Sequence, residues 1–215
     1  MNDRLDESAE RLRAELDLED AARERALSFS RELVRKSASA IRLIHQKRYG
    51  EAEEAIRAHG AKLSSFRDTI ADQAKIVKAP FVSDGEKEHV EAWVTLCLAT
   101  GRAIPTPEEL GTPPAPYLNG LAEGVMEIRR FVVDRLRHDD LKDAEAILNR
   151  MDAIYAILVT FDYPDAILEG LKRRLDTVRG VIEKTRHDLT TAVRQNRLIS
   201  ALHDYEARVI PEQEP

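Results

Sequence analysis

The sequence is poor in cysteine and in aromatic residues, and it has no long apolar run. Cysteine occurs once, as Cys97, so an intrachain disulfide is impossible and we expect a reducing compartment, the cytoplasm. Aromatic residues make up only 5% of the chain, too few for extensive stacking on nucleic-acid bases. The uncharged runs fall far short of the ~20 residues needed to cross a bilayer, so we predict no contact with a membrane.

Charged residues, in contrast, are abundant. The 215 residues are 33% charged and 43% hydrophobic, and the formal net charge is −6. This composition is typical of a helix-rich globular protein rather than a disordered chain. An acidic chain has no general attraction for nucleic acid, so any nucleic-acid site must be a local concentration of Lys and Arg.

Helical periodicity dominates the sequence, so we predict one all-α domain, residues 1–215, with six or seven helices. Pro80 is expected to end the second helix, and Ser83 or Asp84 to cap the third. The proline-rich segment 102–116 is interpreted as a connector with one helical turn at PEEL, and the tail 210–215 as frayed. The predicted helices are 4–47, 51–78, 84–101, 116–137, 140–161 and 164–204.

The stretch GEKEHVEAWVTLCLATG, residues 85–101, is apolar nearly all the way round as a helix after Glu91. Such a helix is normally buried, so Glu88 and Glu91 are expected to point into protein or a cleft. Buried ionised carboxylates need a partner or a bound cation. The plainer interpretation is that both residues interact with the dipole at the helix N-terminus, which is worth roughly 0.3–1 kcal/mol.

A second carboxylate pair, Glu123 and Glu127, lies at i and i+4 in PYLNGLAEGVMEIRRFVVDRL. Gly120 and Gly124 flank this pair and would permit another backbone to approach closely. Taken alone, the pair fits an ordinary solvated face. Together, four carboxylates from two helices would form an all-oxygen site for Mg²⁺ or Mn²⁺. Such a site activates water and neutralises charge on a phosphodiester.

Arginines are concentrated on three of the predicted helices. They fit either solvated faces or surfaces that hold nucleic-acid phosphates. The candidates are Arg31, Arg35 and Arg42, which share one side of the first helix with His45; Arg129 and Arg130, beside the second carboxylate pair; and, less favoured, Arg186, Arg194 and Arg197 on the last helix.

Several segments, taken in order, resemble the translin superfamily. SRELVRKSASAIRLIH resembles its opening helices, EHVEAW resembles the acidic helix of its nuclease branch, and PYLNGLAEGVMEIRR resembles its "DYL.G.ADL.GELMR" helix. Residues 143–189 are similar to its closing helices in spacing. The resemblance covers about residues 20–190, and it rests on the ordered set because no single motif is highly specific.

This resemblance implies a homo-oligomeric barrel, an octamer by family analogy, that binds single-stranded RNA or single-stranded DNA. In the nuclease branch, typified by translin-associated factor X, acidic residues bind Mg²⁺ and cleave single-stranded RNA. Matched by position, those residues fall on Glu88, Glu91, Glu123 and Glu127. Position 123 departs from the family, which has aspartate there, and the longer glutamate puts the metal distance in question. The compact single-domain form resembles archaeal members.

We therefore predict a Mg²⁺-dependent endoribonuclease, with Mn²⁺ as a substitute ion. The four glutamates are the predicted metal ligands, and one of them is expected to help deprotonate the nucleophile. The predicted RNA-binding residues are Arg31, Arg35, Arg42, Arg129 and Arg130.

Other functions remain open at this point. The main alternative is a translin-like oligomer that binds nucleic acid without catalysis, and a third is a purely structural helical adaptor. A di-iron helical bundle needs two Glu-x-x-His motifs, whereas Glu86–His89 is the only well-placed one. Cys97 lies in an apolar stripe, where a small buried hydrophobe is a more usual role than a nucleophile.

Overall fold

The computed structural model describes residues 3–209 and is helical, without strands, across that range. The predicted frayed tail lies outside the described residues. Within them, no helix has the length and apolar character that a membrane span requires. The helices are α1 (Asp3–His45), α2 (Tyr49–Ile70), α3 (Ala74–Val77), α4 (Pro80–Thr100), α5 (Pro107–Leu110), α6 (Pro114–Arg137), α7 (Leu141–Leu158), α8 (Asp165–Leu168) and α9 (Leu171–Val209).

The all-α prediction is confirmed, and the six long helices correspond to the six predicted ones. The prediction for Pro80 is wrong: this proline begins α4 after the N-cap Ala79, so Ser83 and Asp84 lie inside the helix rather than capping it. Proline suits this position because its φ is already helical and its missing N–H has no partner in the first turn. The second predicted helix instead breaks after Ile70, before the short α3.

Two further boundaries differ from the predictions. The last predicted helix is split into α8 and α9, because Glu169 and Gly170 take left-handed conformations with φ of 50° and 87°. The connector is shorter than predicted, since α6 already begins at Pro114. Its predicted helical turn is confirmed as α5, where Thr106 and Glu109 form a reciprocal capping box.

Helix α4 lies at the centre of the bundle, packed against α1, α2 and α6, while α6 also packs on α7 and α9. α2 runs antiparallel to α4, as the Arg67–Glu86 and Arg102–Glu53 ion pairs at opposite ends of α2 require. α4 and α6 run parallel, so the connector between them returns along the length of the bundle. The apolar remainder of α4 is almost completely buried, as its sequence predicts.

Two glycines set the distance between α4 and α6. A Cβ atom on Gly120 would lie 2.5 Å from Val90 Cβ and 2.8 Å from the Lys87 carbonyl oxygen. A Cβ atom on Gly124 would lie 2.5 Å from Val94 Cγ1. The helices can therefore approach this closely only because both positions lack a side chain, and this contact brings the acidic faces of α4 and α6 together.

Replacing Gly120 with alanine tests this contact. We expect Gly120→Ala to lower the free energy of unfolding by about 1–3 kcal/mol, because the added methyl group meets Val90 and a backbone carbonyl that cannot move independently. The measurement is urea denaturation followed by circular dichroism.

Gly180→Ala on α9 is the matched control, because nothing lies within 4 Å of a Cβ atom at that position. It should raise the free energy of unfolding by roughly 0.5–1 kcal/mol, through helix propensity alone. Equal effects from the two alanine substitutions would contradict the proposed packing constraint.

Candidate metal centre

Three carboxylates meet in the crevice between α4 and α6. One oxygen each from Glu88, Glu91 and Glu123 lies within 4.8 Å of the other two, and all three residues are partly buried. Within residues 3–209, this is the one group of three or more acidic, histidine or cysteine side chains close enough to hold a metal ion. Two of its members come from α4 and the third from α6, so the close helix contact creates the group.

The electrostatics of this group favour a cation. The pKa of Glu91 is raised to about 8, first by burial and then by the charges of Glu88, Glu123 and Glu127, against a smaller opposing effect of Lys87. The neighbouring cations therefore do not fully compensate the negative charge around Glu91. An uncompensated set of carboxylate oxygens fits a hard divalent cation such as Mg²⁺ or Mn²⁺.

Two cationic side chains that the sequence analysis missed reach the same group. Lys87 Nζ lies 2.9 Å from Glu123 Oε1 and 3.3 Å from Glu88 Oε1. Arg174 on α9 donates from Nε to Glu123 Oε1 at 2.8 Å and from Nη1 to Asn119 Oδ1 at 3.0 Å. Lys87 could have been noticed between the glutamates of GEKE, whereas no sequence pattern connects Arg174 to a helix 51 residues away.

Glu127 occupies a different position from the other three glutamates. Its carboxylate pairs with Nε2 of His45 at the end of α1, and the His45 ring stacks on Phe131 with the centroids 5.1 Å apart. Glu127 is therefore held beside the three-carboxylate group rather than within it. Its charge still reaches the group, because it contributes to the raised pKa of Glu91.

The opposite side of α4 carries polar residues that do not join the site. Glu86 accepts a hydrogen bond from Arg67 Nε at 2.8 Å, on the side of α2. His89 is buried near His59, and burial lowers the pKa of both histidines to about 4. Glu86 and His89 are thus separated from the carboxylate group, so the di-iron alternative gains no support. Burial also raises the pKa of the Cys97 thiol, which disfavours its use as a nucleophile.

The candidate RNA-binding arginines have different environments. Arg31, Arg35 and Arg42 are exposed, and their spacing puts them on the side of α1 that ends at His45. In contrast, Arg129 is engaged with α9, where it donates to Thr185 Oγ1 at 2.8 Å and to Asp188 Oδ2 at 2.6 Å.

Arg130 is exposed and lines a surface cavity of about 580 Å³ together with Arg137, His45 and Glu127. The cavity is therefore bordered by Glu127, the glutamate that pairs with His45. A basic rim therefore adjoins the acidic residues of the site.

Comparison with known proteins identifies the family. The chain is 34% identical to AfC3PO, with a TM-score of 0.76, and the match covers 88% of this chain and 97% of AfC3PO in its structure with duplex RNA. The apo structure of NeC3PO is 20% identical, with a TM-score of 0.76, and shows the same fold over 85% of this chain and 96% of that one. An uncharacterised protein of Methanocaldococcus jannaschii is 29% identical over 184 residues, which is 83% of this chain and 80% of that protein.

No family model matches the sequence. The identity to AfC3PO, over nearly the whole of both chains, is nevertheless sufficient: this chain belongs to the C3PO/translin family. The resemblance found in the sequence is confirmed at the level of the family.

The raised pKa of Glu91 predicts how the stability of the protein depends on pH. The folded-state pKa of Glu91, about 8, exceeds its ordinary value of 4.5. Between these two pH values the folded protein keeps the Glu91 proton, whereas the unfolded chain releases it. The stability of the metal-free protein should therefore fall as pH rises from 4.5 to 8. Glutamine cannot ionise, so Glu91→Gln should be more stable than the wild type at pH 8 by several kcal/mol, since each unit of raised pKa corresponds to ~1.4 kcal/mol.

The measurement is urea denaturation in EDTA at pH 5 and pH 8. Glu54→Gln, at an exposed position on α2, is the control and should follow the wild type at both pH values. If the free energy of unfolding changed with pH in the same way for Glu91→Gln and the wild type, the raised pKa of Glu91 would be contradicted.

Proposed function

We propose that the protein is a Mg²⁺-dependent endoribonuclease that cleaves single-stranded RNA. The observation that carries this proposal is the convergence of Glu88, Glu91 and Glu123 within 4.8 Å in a crevice that leaves Glu91 short of compensating charge. Membership of the C3PO/translin family supports RNA as the ligand, since AfC3PO has been determined in complex with duplex RNA.

The three converging glutamates would hold the divalent ion. Such an ion supplies two things to phosphodiester hydrolysis: neutralisation of charge on the phosphate, and activation of water as the nucleophile. Glu127 is proposed to accept the proton of the attacking water at its carboxylate. Its pairing with His45 fixes the orientation of that carboxylate and gives the proton a second group to move to.

The phosphates of the RNA are proposed to follow the exposed side of α1. Arg31, Arg35 and Arg42 lead along this side to His45, and Arg130 lines the same cavity as His45 and Glu127. Contacts of this kind recognise the backbone rather than the base sequence. The role proposed for Arg129 is mainly to brace α6 against α9, since Asp188 already binds its guanidinium.

A homo-oligomer, an octamer by analogy, is part of the proposal. Large apolar side chains are exposed in the N-terminal part of α1, where Leu12 is 58% and Leu16 62% exposed. The C-terminal part of α9 also exposes them, and Leu198 there is 61% exposed. Repeated apolar exposure along two helices is typical of surfaces that other subunits cover.

A translin-like RNA-binding oligomer without catalysis is the second candidate. One observation favours it: Glu123 already binds both Lys87 and Arg174, so the position at which the family has aspartate is also the most neutralised carboxylate of the group.

Cleavage assays separate the two candidates. Purified protein should cleave a labelled single-stranded RNA in Mg²⁺ and lose this activity in EDTA. Glu91→Gln should reduce the rate by at least about a hundredfold, because it removes one of three charges that would hold the ion. Glu127→Gln should reduce the rate by about 10²–10⁴-fold with the metal affinity retained, which is the range for loss of a general base.

Glu54→Gln serves as the control for substitution of a glutamate outside the site and should retain wild-type cleavage. The particle mass of each variant should equal that of the wild type, so that lost activity is not lost assembly. Duplex RNA of the same sequence is measured in parallel. RNA binding without metal-dependent cleavage would favour the second candidate, and cleavage of duplex alone would contradict the proposed strand preference.

The proposed RNA path predicts a specific salt dependence. Replacing Arg31, Arg35 and Arg42 with glutamine should weaken RNA binding at every sequence and reduce the slope of log affinity against log salt by about 2, since each lost phosphate contact on a single strand removes about 0.7. The measurement is fluorescence anisotropy at several salt concentrations. The matched control replaces Arg186, Arg194 and Arg197 of α9, and a larger loss from this control would transfer the RNA path to α9.

A further inference from the structure

Lys87 lies where the proposed ion would have to bind. Its ammonium nitrogen is 2.8 Å from one oxygen of Glu123, 2.9 Å from the other, and 3.3 Å from Glu88 Oε1. Two of the three carboxylates that converge in the crevice are therefore already bound by a cation that belongs to the chain itself.

The Lys87 backbone has no freedom to withdraw from the site. Its carbonyl oxygen lies against Gly120, within the close contact between α4 and α6. The side chain extends from this fixed point into the crevice and is only 12% exposed. The ammonium group lies between the carboxylates of Glu88 and Glu123, and these opposite charges favour its cationic form.

The second cation on Glu123 is held differently. Arg174 also donates to Asn119 Oδ1 and to the Glu169 carbonyl oxygen, both at 3.0 Å, so it has partners outside the carboxylate group. In the described part of the chain, the ammonium group of Lys87 has only the carboxylates of this group as partners. A lysine side chain is also a flexible stem that carries a compact charge, whereas the guanidinium of arginine is a rigid fork. If one cation leaves, it is Lys87.

We propose that Lys87 is an internal competitor for the divalent ion: its ammonium group occupies Glu88 and Glu123 in the metal-free protein and must leave them before the ion binds. This inference rests on the proposed metal site and deepens it, because it names the residue that sets the metal affinity. A divalent ion and an ammonium group on the same oxygens repel each other, so each excludes the other. The lysine also limits the repulsion among the carboxylates while no ion is bound.

Metal-binding measurements on charge variants test the inference. Isothermal titration with Mn²⁺ should show that Lys87→Met binds the ion at least about tenfold more tightly than the wild type, because no ammonium group has to be displaced. Lys87→Arg keeps a positive charge at the site and should bind no more tightly than the wild type. In EDTA, Lys87→Met should unfold at lower urea concentration, because Glu88 loses its cationic partner and Glu123 keeps only Arg174.

Lys172→Met is the matched control. Lys172 is exposed and pairs with Asp162 away from the carboxylate group, so its removal should change the Mn²⁺ affinity by less than about twofold. Equal affinities for Lys87→Met and the wild type would overturn the inference while leaving the metal site intact. Absence of Mn²⁺ binding in both proteins would overturn the metal site as well. Loss of Mn²⁺ binding in Glu91→Gln would assign the bound ion to the glutamates.

A measurement on the wild-type protein covers the case in which Lys87→Met does not fold. Acetylation by N-hydroxysuccinimide acetate, quantified for each lysine by peptide mass spectrometry, reports how readily each side chain loses its proton and reacts as a free amine. Addition of Mn²⁺ should increase the acetylation of Lys87 several-fold and leave that of Lys172 unchanged. Unchanged or reduced acetylation of Lys87 would show that the lysine stays on the carboxylates and that the inference is wrong.

Discussion

The close contact between α4 and α6 is the constraint on which the rest of the structure depends. Gly120 and Gly124 allow the two backbones to approach until a single added methyl group would collide with Val90 or Val94. At this separation, Glu123 of α6 reaches Glu88 and Glu91 of α4. The candidate site therefore depends directly on the close packing of these two parallel helices. Any change that separates the helices also separates the carboxylates.

Bringing three glutamates together costs stability, which the surrounding structure offsets. The apolar remainder of α4 is buried against its neighbours and keeps the helix from rotating its charged end towards water. Lys87 and Arg174 neutralise part of the charge, but the pKa of Glu91 remains raised to about 8. A strained group held by a rigid core is a common property of functional sites, where local stability is sacrificed for chemistry.

The sequence predicts the fold more completely than the site, and the reason is physical. Helical periodicity is a local signal, so the long helices follow from it. Errors arise where proline begins a helix, where the second helix breaks after Ile70, and where Gly170 interrupts the last one. The family register places Glu88, Glu91, Glu123 and Glu127 at the site. The first three converge, whereas Glu127 pairs with His45 beside them. The positions of Arg174 and His45 depend on how separate helices pack against α6, which no periodicity encodes.

The most direct measurement of the central claim is the position of a bound ion. Crystals of the protein grown with Mn²⁺ and measured at a wavelength where manganese scatters anomalously should show a peak between Glu88, Glu91 and Glu123, with Lys87 turned away from Glu123. Loss of the peak in Glu91→Gln crystals would assign it to the glutamates. An anomalous map without a peak in the crevice between α4 and α6, at saturating Mn²⁺, would contradict the account.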